Sequence, residues 1–312
     1  MQMHLWEDVK QQYSDQICIL WNRIYGDRFP LRKSLFQQNS IEDIHVDADA
    51  SRLVTVGDEA VGLIIVKRDH YNRFQRSQAW IHLLMVDPTY QHRGIGSKLL
   101  KQAEATVVNM GASEIVIGQD PYHYFPGVPA DQNAIKKWLM KRGYTNVNSV
   151  SDYVNTSPQS ERKLDTENIL SSDEKGKLFS FLKAYFSSRW LYEAEEYFLK
   201  GGSGSAYVII KDQGEIIAFC KTNIGEKPLI GSNVNWSQRF TGILGGIGPL
   251  GVHPEWRKMK LGREIVLLAT RHLLNQGVGS IYIDWTELHG FYRSLGYTSI
   301  ETYDQFKKTI EI

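Results

Sequence analysis

Two segments hold the residues with the clearest chemical promise, Val86-Asp-Pro-Thr-Tyr-Gln-His-Arg-Gly-Ile-Gly96 and Val252-His-Pro-Glu-Trp-Arg-Lys-Met-Lys-Leu-Gly262. Each reads as an apolar strand, a proline turn, a basic glycine-containing loop and then an amphipathic helix. A loop rich in backbone N–H donors at a helix start is suited to gripping phosphate. Gly94 and Gly96 let the main chain approach such a ligand without a Cβ in the way. His92, Arg93 and Ser97 stand where side chains add contacts. A Walker loop requires Gly-Lys-Ser/Thr, whereas Gly94-Ile-Gly96-Ser97-Lys98 has another order. A dinucleotide fingerprint requires a third glycine where Leu99 stands. In the second loop Lys260 replaces Gly94. A non-glycine residue held at positive φ there costs roughly 1–2 kcal/mol, although a lysine also binds phosphate in its own right.

These loops belong to a repeated unit. From Val86 to Val252 the offset is 166 positions, and it holds for Leu84 and Leu250, Ala103 and Ala269, Gly111 and Gly277, and Ile115 and Ile281. A register kept from strand through helix to strand predicts one supersecondary unit present twice. In the first half, hairpin strands are expected at 54–56 and 60–66, further strands at 79–86 and 114–117, and helices at 98–110 and 131–141. The second half repeats the plan, with helices over 173–199 and 261–275 and strands at 206–210, 216–220, 243–252 and 280–284. The polar run 155–168 reads as a linker, giving domains 1–157 and 158–312. Gly143-Tyr144 and Gly296-Tyr297 lie only 153 positions apart, so the first half has 13 extra residues in the loop containing Asp120-Pro-Tyr-His-Tyr-Phe-Pro-Gly-Val-Pro129.

The chain has 312 residues, enough for two cores, and its 36 basic and 35 acidic side chains leave a net charge of +1. That balance argues against nucleic acid or a polybasic membrane surface as partner. Two cysteines, Cys18 and Cys220, offer neither a disulfide framework nor a Cys-x-x-Cys metal spacing, and no metal is expected. The amino terminus lacks a signal-peptide pattern, and the longest apolar stretch, 240–252, is too short to span a bilayer. A cytoplasmic chain, monomeric or homodimeric, is expected.

With these residues in place, the chain resembles a tandem member of the GNAT superfamily of acyl-CoA-dependent N-acyltransferases. That family's pattern is a Val-x-Pro strand exit, Gln/Arg-x-x-Gly-x-Gly/Ala opening a helix, and an aromatic helix leading to Gly-Phe/Tyr. The first half matches at Val86, Pro88, Gln91, Gly94, Gly96 and Gly143-Tyr144. The second matches at Val252, Pro254, Arg257, Gly262 and Phe291-Tyr292-Arg-Ser-Leu-Gly296-Tyr297. The resemblance implies an α/β chain with α+β character, two tandem domains that are each a twisted mixed sheet flanked by helices. It also implies acetyl-CoA as co-substrate. The pyrophosphate would sit on Gln91, His92, Arg93, Gly94, Ile95, Gly96 and Ser97. The pantetheine arm would pair with Leu84, Met85 and Val86, where a backbone N–H polarises the thioester carbonyl. The second domain would carry a degenerate pyrophosphate loop.

Attack on a thioester needs a neutral amine, and an ordinary alkylammonium is neutral roughly one time in 2,500 at pH 7. A base offsets that handicap, and in this family a tyrosine commonly protonates the departing thiolate. Tyr292 matches that tyrosine, whereas its first-half counterpart falls at Trp138 or Leu139. Candidate polar groups in the first half are His82, on the cofactor-flanking strand, and Tyr124, in the inserted loop. His82 reads first as a satisfied half-buried histidine, and the Tyr122–Pro126 run equally as a rigid lid over the acceptor pocket. The leading expectation is acetyl transfer to a small primary amine in the first half by direct attack in a ternary complex. Catalysis in the second half through Tyr292, or a CoA-binding sensor without turnover, are its rivals.

Overall fold

A computed structural model describes residues 1–74 and 77–310. The first half runs β1 (Gln2–Leu5), α1 (Trp6–Tyr25), α2 (Lys33–Phe36), β2 (Arg52–Val56), β3 (Glu59–Arg68), β4 (Gln78–Val86), α3 (Ile95–Asn109), β5 (Glu114–Ile117), β6 (Val128–Pro129), α4 (Asn133–Met140) and β7 (Thr145–Asn155). The second half runs α5 (Lys175–Tyr185), α6 (Ser188–Leu199), β8 (Tyr207–Asp212), β9 (Glu215–Ile224), β10 (Leu244–Val252), α7 (Leu261–Leu274), β11 (Ser280–Thr286), α8 (His289–Arg293) and β12 (Thr298–Thr309). The chain is thus mixed α/β, and the repeated strand–loop–helix–strand unit is β4–α3–β5 and again β10–α7–β11.

Two compact units form, residues 1–150 with 302–312, and residues 151–301. The expected division at 157/158 differs from this on both counts. It falls inside the second unit, and it assigns the carboxyl-terminal strand to the wrong half. The reason is that β7 and β12 each run from one unit into the other. Sequence periodicity also gave no sign of these two strands, nor of β1.

In unit 1 the sheet order is β1-β2-β3-β4-β5-β12-β7, with β6 pairing β12. β3 pairs antiparallel with β4, and β4 runs parallel to β5. The core beneath α3 gathers Val61, Ile64, Ile81, Leu99, Leu100, Ala103, Val107, Ile115, Leu139 and Phe306. The α3 contributors recur at helical spacing, which is why this segment folds as a helix on the sheet. On the other side α1 buries Trp6, Val9, Tyr13, Ile17, Leu20 and Trp21. In unit 2 the order is β12-β7-β11-β10-β9-β8, and Ile265, Val266, Ala269, Leu273, Ile281, Ile283 and Tyr292 share one core.

Candidate active site

β4 carries one residue more than β3 can match. Ile65 pairs Leu83 and Val66 pairs Ile81, so His82 is the extra residue of a bulge. A bulge bends its strand. On the other edge the pairing of β4 with β5 stops at Ile81 and Ile117. From His82 to Val86 that edge therefore faces a gap, and alternate main-chain groups there lack a strand partner.

The corner after β4 is built by Asp87. Its carboxylate accepts from the Thr89 N–H at 2.8 Å and the Thr89 hydroxyl at 2.7 Å, and it pairs with Arg23. Gln91 donates to the Val86 carbonyl at 3.0 Å, fixing the loop to the strand end. His92 and Gly94 take left-handed φ of 60° and 81°, and α3 begins at Ile95. The first-turn amides of a helix have no acceptor within the helix, so Ile95, Gly96 and Ser97 present donors. A Cβ at Gly94 would meet nothing within 4 Å, and one at Gly96 only an ordinary contact with Val86 at 3.5 Å. The space above both glycines is therefore open, which fits a phosphate-bearing ligand.

Two cavities adjoin this surface. One, of about 490 Å³, is lined by Val86, Gln91, His92, Gly94, Gly96 and Ser97 among others. The second, of about 260 Å³, is lined by Arg28, Phe29, His82, Leu83, Ile117, Phe125, Val128 and Leu139 among others. Tyr25, Leu84, Ile135 and Trp138 line both, so the two chambers meet at the gap between β4 and β5. Leu84, Val86, Gln91, His92, Gly94, Ile95, Gly96 and Ser97 are thus brought together. Two expected residues are not among the lining. Met85 is buried on the opposite face of its strand. The Arg93 guanidinium donates to the Thr89 carbonyl at 3.0 Å and stacks over Tyr90 at 5.0 Å. Arg142, unremarked in the sequence, donates to Ser97 Oγ at 2.6 Å and lies 3.9 Å over the Trp138 ring.

Behind the smaller chamber lies a buried polar chain. His82 Nδ1 is 2.8 Å from Asp120 Oδ2, and Nε2 is 3.2 Å from Ser40 Oγ, which is 2.8 Å from the Tyr124 hydroxyl. Lys67 donates to Asp120 at 2.7 Å and lies 3.0 Å from Asp43. Burial would raise the Asp120 carboxyl, but His82 and Lys67 outweigh it and hold it well below the ordinary carboxylate range. Burial lowers the His82 imidazole, despite the neighbouring Asp120 charge. An ionised Asp120 fixes the His82 proton on Nδ1, so Nε2 accepts from Ser40, which in turn accepts from Tyr124. Both ring nitrogens are therefore engaged. Tyr124 is 2% exposed and lines neither chamber. His82 lines the smaller chamber, and Tyr124 stands behind it, joined to His82 through Ser40.

The residue missed in the sequence is Tyr25, the last of α1. It is half-buried at the junction of the chambers, and burial raises its phenol. Only its helical register with Trp21, whose ring lies 5.5 Å away, hinted that it faces the sheet.

In unit 2 the same architecture carries different groups. Lys258 and Lys260 take φ of 67° and 62°, in register with His92 and Gly94. β10 has an extra residue between Ile247 and Leu250, and its pairing with β11 stops at Gly246 and Tyr282. Tyr292 is 4% exposed in the core beneath, and burial raises its phenol well above the usual range. Tyr292 and the first-half candidates stand in different units, so the structure does not assemble Tyr292, His82 and Tyr124 into one constellation. Asp284, also missed, aligns with Gly118 of the first half.

The acetyltransferase (GNAT) family model matches residues 14–123 and 176–297. Over 65 residues the chain is 37% identical to N-alpha-acetyltransferase 30 of Xenopus laevis, covering 21% of this chain and 23% of that protein. The chain thus spans about a quarter or less of the curated relatives it matches. Among solved structures, a glucosamine N-acetyltransferase region of a fungal multi-domain GH3 beta-N-acetylglucosaminidase superposes with TM-score 0.83 at 23% identity, over 96% of this chain and 37% of that one. A tandem GNAT protein from the clavulanic acid biosynthesis pathway superposes with TM-score 0.65 at 13% identity, over 97% and 95%. Among the described residues no helix is long and apolar enough to cross a membrane.

Proposed function

The chain belongs to the acetyltransferase (GNAT) family, and from that premise we propose that it is an acetyl-CoA-dependent N-acetyltransferase acting on a small primary amine. The observation that carries this reading is the pair of adjoining chambers in unit 1, which meet at the gap between β4 and β5. The larger opens on the first turn of α3, where the amides of Ile95, Gly96 and Ser97 suit a pyrophosphate. Leu84 and Val86 flank the passage between them, where the free edge of β4 offers main-chain groups to a pantetheine arm. A main-chain N–H aimed into the gap stabilises the oxyanion that forms on the thioester carbonyl.

Co-substrate acetyl-CoA supplies the acyl group, and the chain's own residues hold and protonate. The Tyr25 phenol, kept neutral by burial, stands at the junction to donate a proton to the departing thiolate. The acceptor enters the smaller chamber, beside Arg28, Phe29 and Phe125. The names of similar proteins cover both a protein N-terminus and an amino sugar as acceptor. The modest volume of the smaller chamber, about 260 Å³ and bordered by Phe125 and Val128 of the inserted loop, favours the small amine.

The test is release of free thiol from acetyl-CoA with a panel of small amines and of short peptides, with the acetylated product identified by mass. Turnover with small amines, reduced about 100-fold in Tyr25→Phe, is expected. Turnover with peptides alone, or none with any amine, would overturn the proposal.

A further inference from the structure

The smaller chamber of unit 1 receives side chains from several elements, and most of them are apolar. Ile24 comes from α1, Phe29 from the turn after it, Ile117 from β5, Phe125 and Val128 from the inserted loop, and Leu139 from α4. Phe125 stacks on Trp21 with centroids 5.7 Å apart and meets Phe29 edge-on at 4.8 Å, while the Trp21 indole N–H donates to the Phe29 carbonyl at 2.7 Å. These contacts fix both phenyl rings, so the aromatic wall is formed before a ligand enters. Such a wall binds the apolar part of a ligand by withdrawing it from water. An apolar cavity of about 150 Å³ holds benzene. A chamber of about 260 Å³ therefore has room for one ring with a short chain, or for a linear chain of similar bulk.

The polar side chains along the same wall are few, and most are committed elsewhere. His82 has both ring nitrogens engaged, by Asp120 at 2.8 Å and by Ser40 at 3.2 Å. Arg28 donates to Asp131 at 2.8 Å and lies 5.1 Å over the Phe29 ring. Asp27 is the one carboxylate among the described residues lining the chamber, and it is exposed, where water screens it. Tyr25 stands at the junction with the larger chamber, at the reacting end of an acceptor. That leaves Gln132, half-buried at the start of α4, whose side chain does not cap the helix. An amino sugar brings a hydroxyl on most of its ring carbons, and buried hydroxyls without partners oppose binding. A second ammonium meets no buried carboxylate here, and a carboxylate meets a guanidinium that is already paired.

We infer that the acceptor of unit 1 is an arylalkylamine or alkylamine, a primary amine on an uncharged apolar body that lies among Phe29, Phe125, Val128 and Leu139 with its nitrogen toward the gap between β4 and β5. The nitrogen bonds to the thioester carbonyl carbon and the carbon–sulfur bond breaks. The proton lost by the neutral amine balances the one gained by the sulfur, which leaves as a free thiol. The inference rests on the acyl-transfer reading and narrows it, setting amino sugars, diamines and amino acids aside.

The test compares kcat/KM of the full chain for phenylethylamine, glucosamine, putrescine and beta-alanine at fixed acetyl-CoA. Phenylethylamine is expected to lead each of the others by about tenfold or more. Along a series of linear alkylamines, each added methylene should raise kcat/KM about fourfold until the chamber is filled. Phenylethanol, which keeps the body and lacks the amine, should inhibit competitively against phenylethylamine, and glucose should not. Phe125→Gln, with folding checked by its coenzyme A affinity, should lose about tenfold with phenylethylamine and bind phenylethanol more weakly in parallel. A preference for glucosamine, putrescine or beta-alanine would overturn the inference and leave acetyl transfer standing. So would an alkylamine series that is flat or falling, or a folded Phe125→Gln in which both values are unchanged. A chain that acetylates none of these amines would instead strike the acyl-transfer reading itself.

Discussion

Lys67 has no exposed surface, and two buried carboxylates lie within 3.0 Å of its amine. Removing one partner of such a network leaves charge without compensation, at a cost of about 3–5 kcal/mol. Lys67→Met should therefore unfold at markedly lower urea than the native chain. Asp120 adds a pH signature. Its folded-state pKa lies below the unfolded value, so its contribution is present above about pH 4 and lost as acid approaches the folded value. His82 acts at higher pH. Its folded-state pKa also lies below the unfolded value near 6.5, so the unfolded chain binds the proton first. Stability should fall as pH drops below about 6.5, and urea midpoints measured from pH 7 to pH 5 should show a shallower fall in His82→Asn. An equal slope in both proteins would mean that the imidazole is not held neutral by its surroundings.

At the scale of elements, the inserted loop 118–129 is the part that borders the smaller chamber, where we propose the acceptor enters. Phe125 stacks on Trp21 with centroids 5.7 Å apart and meets Phe29 edge-on at 4.8 Å. Its ring also lines the chamber, so Phe125→Ala should widen it. Bulkier amines should gain in kcat/KM relative to small ones, while coenzyme A affinity changes little. A uniform loss across the panel would make the loop structural only. The length difference between repeats identified this loop from the sequence alone, and strict registers made β4, α3, β10 and α7 legible. The rest was hidden for physical reasons. The outer half of β7, with Asn146, Asn148 and Ser149, is exposed, so no buried apolar face marks it as a strand. Lys67 occupies a strand position that usually marks a solvated face. Asp284 stands beside Trp285 where a strand end and a loop start look alike, and only its alignment with Gly118 set it apart.

At the scale of the whole chain, the two compact units do not correspond to two halves of the sequence. Residues 302–312 complete unit 1, where β12 lies between β5 and β7 and buries Tyr303 and Phe306. Lys307 and Lys308 tie it to Glu114 and Glu104. Residues 151–157 complete unit 2, where Tyr153 enters the core and Asp152 accepts from the Tyr282 hydroxyl at 2.7 Å. A cut at 157/158 therefore takes a buried strand segment from each unit and leaves an open sheet edge in both. Such edges pair with whatever is available. Fragments 1–157 and 158–312, expressed alone, should lack a cooperative melt and aggregate, whereas co-expressed they should associate and regain coenzyme A binding. A fragment 1–157 that melts cooperatively and binds coenzyme A as the full chain does would show that β12 is dispensable. In that case the tandem arrangement would have to be explained by function rather than by folding.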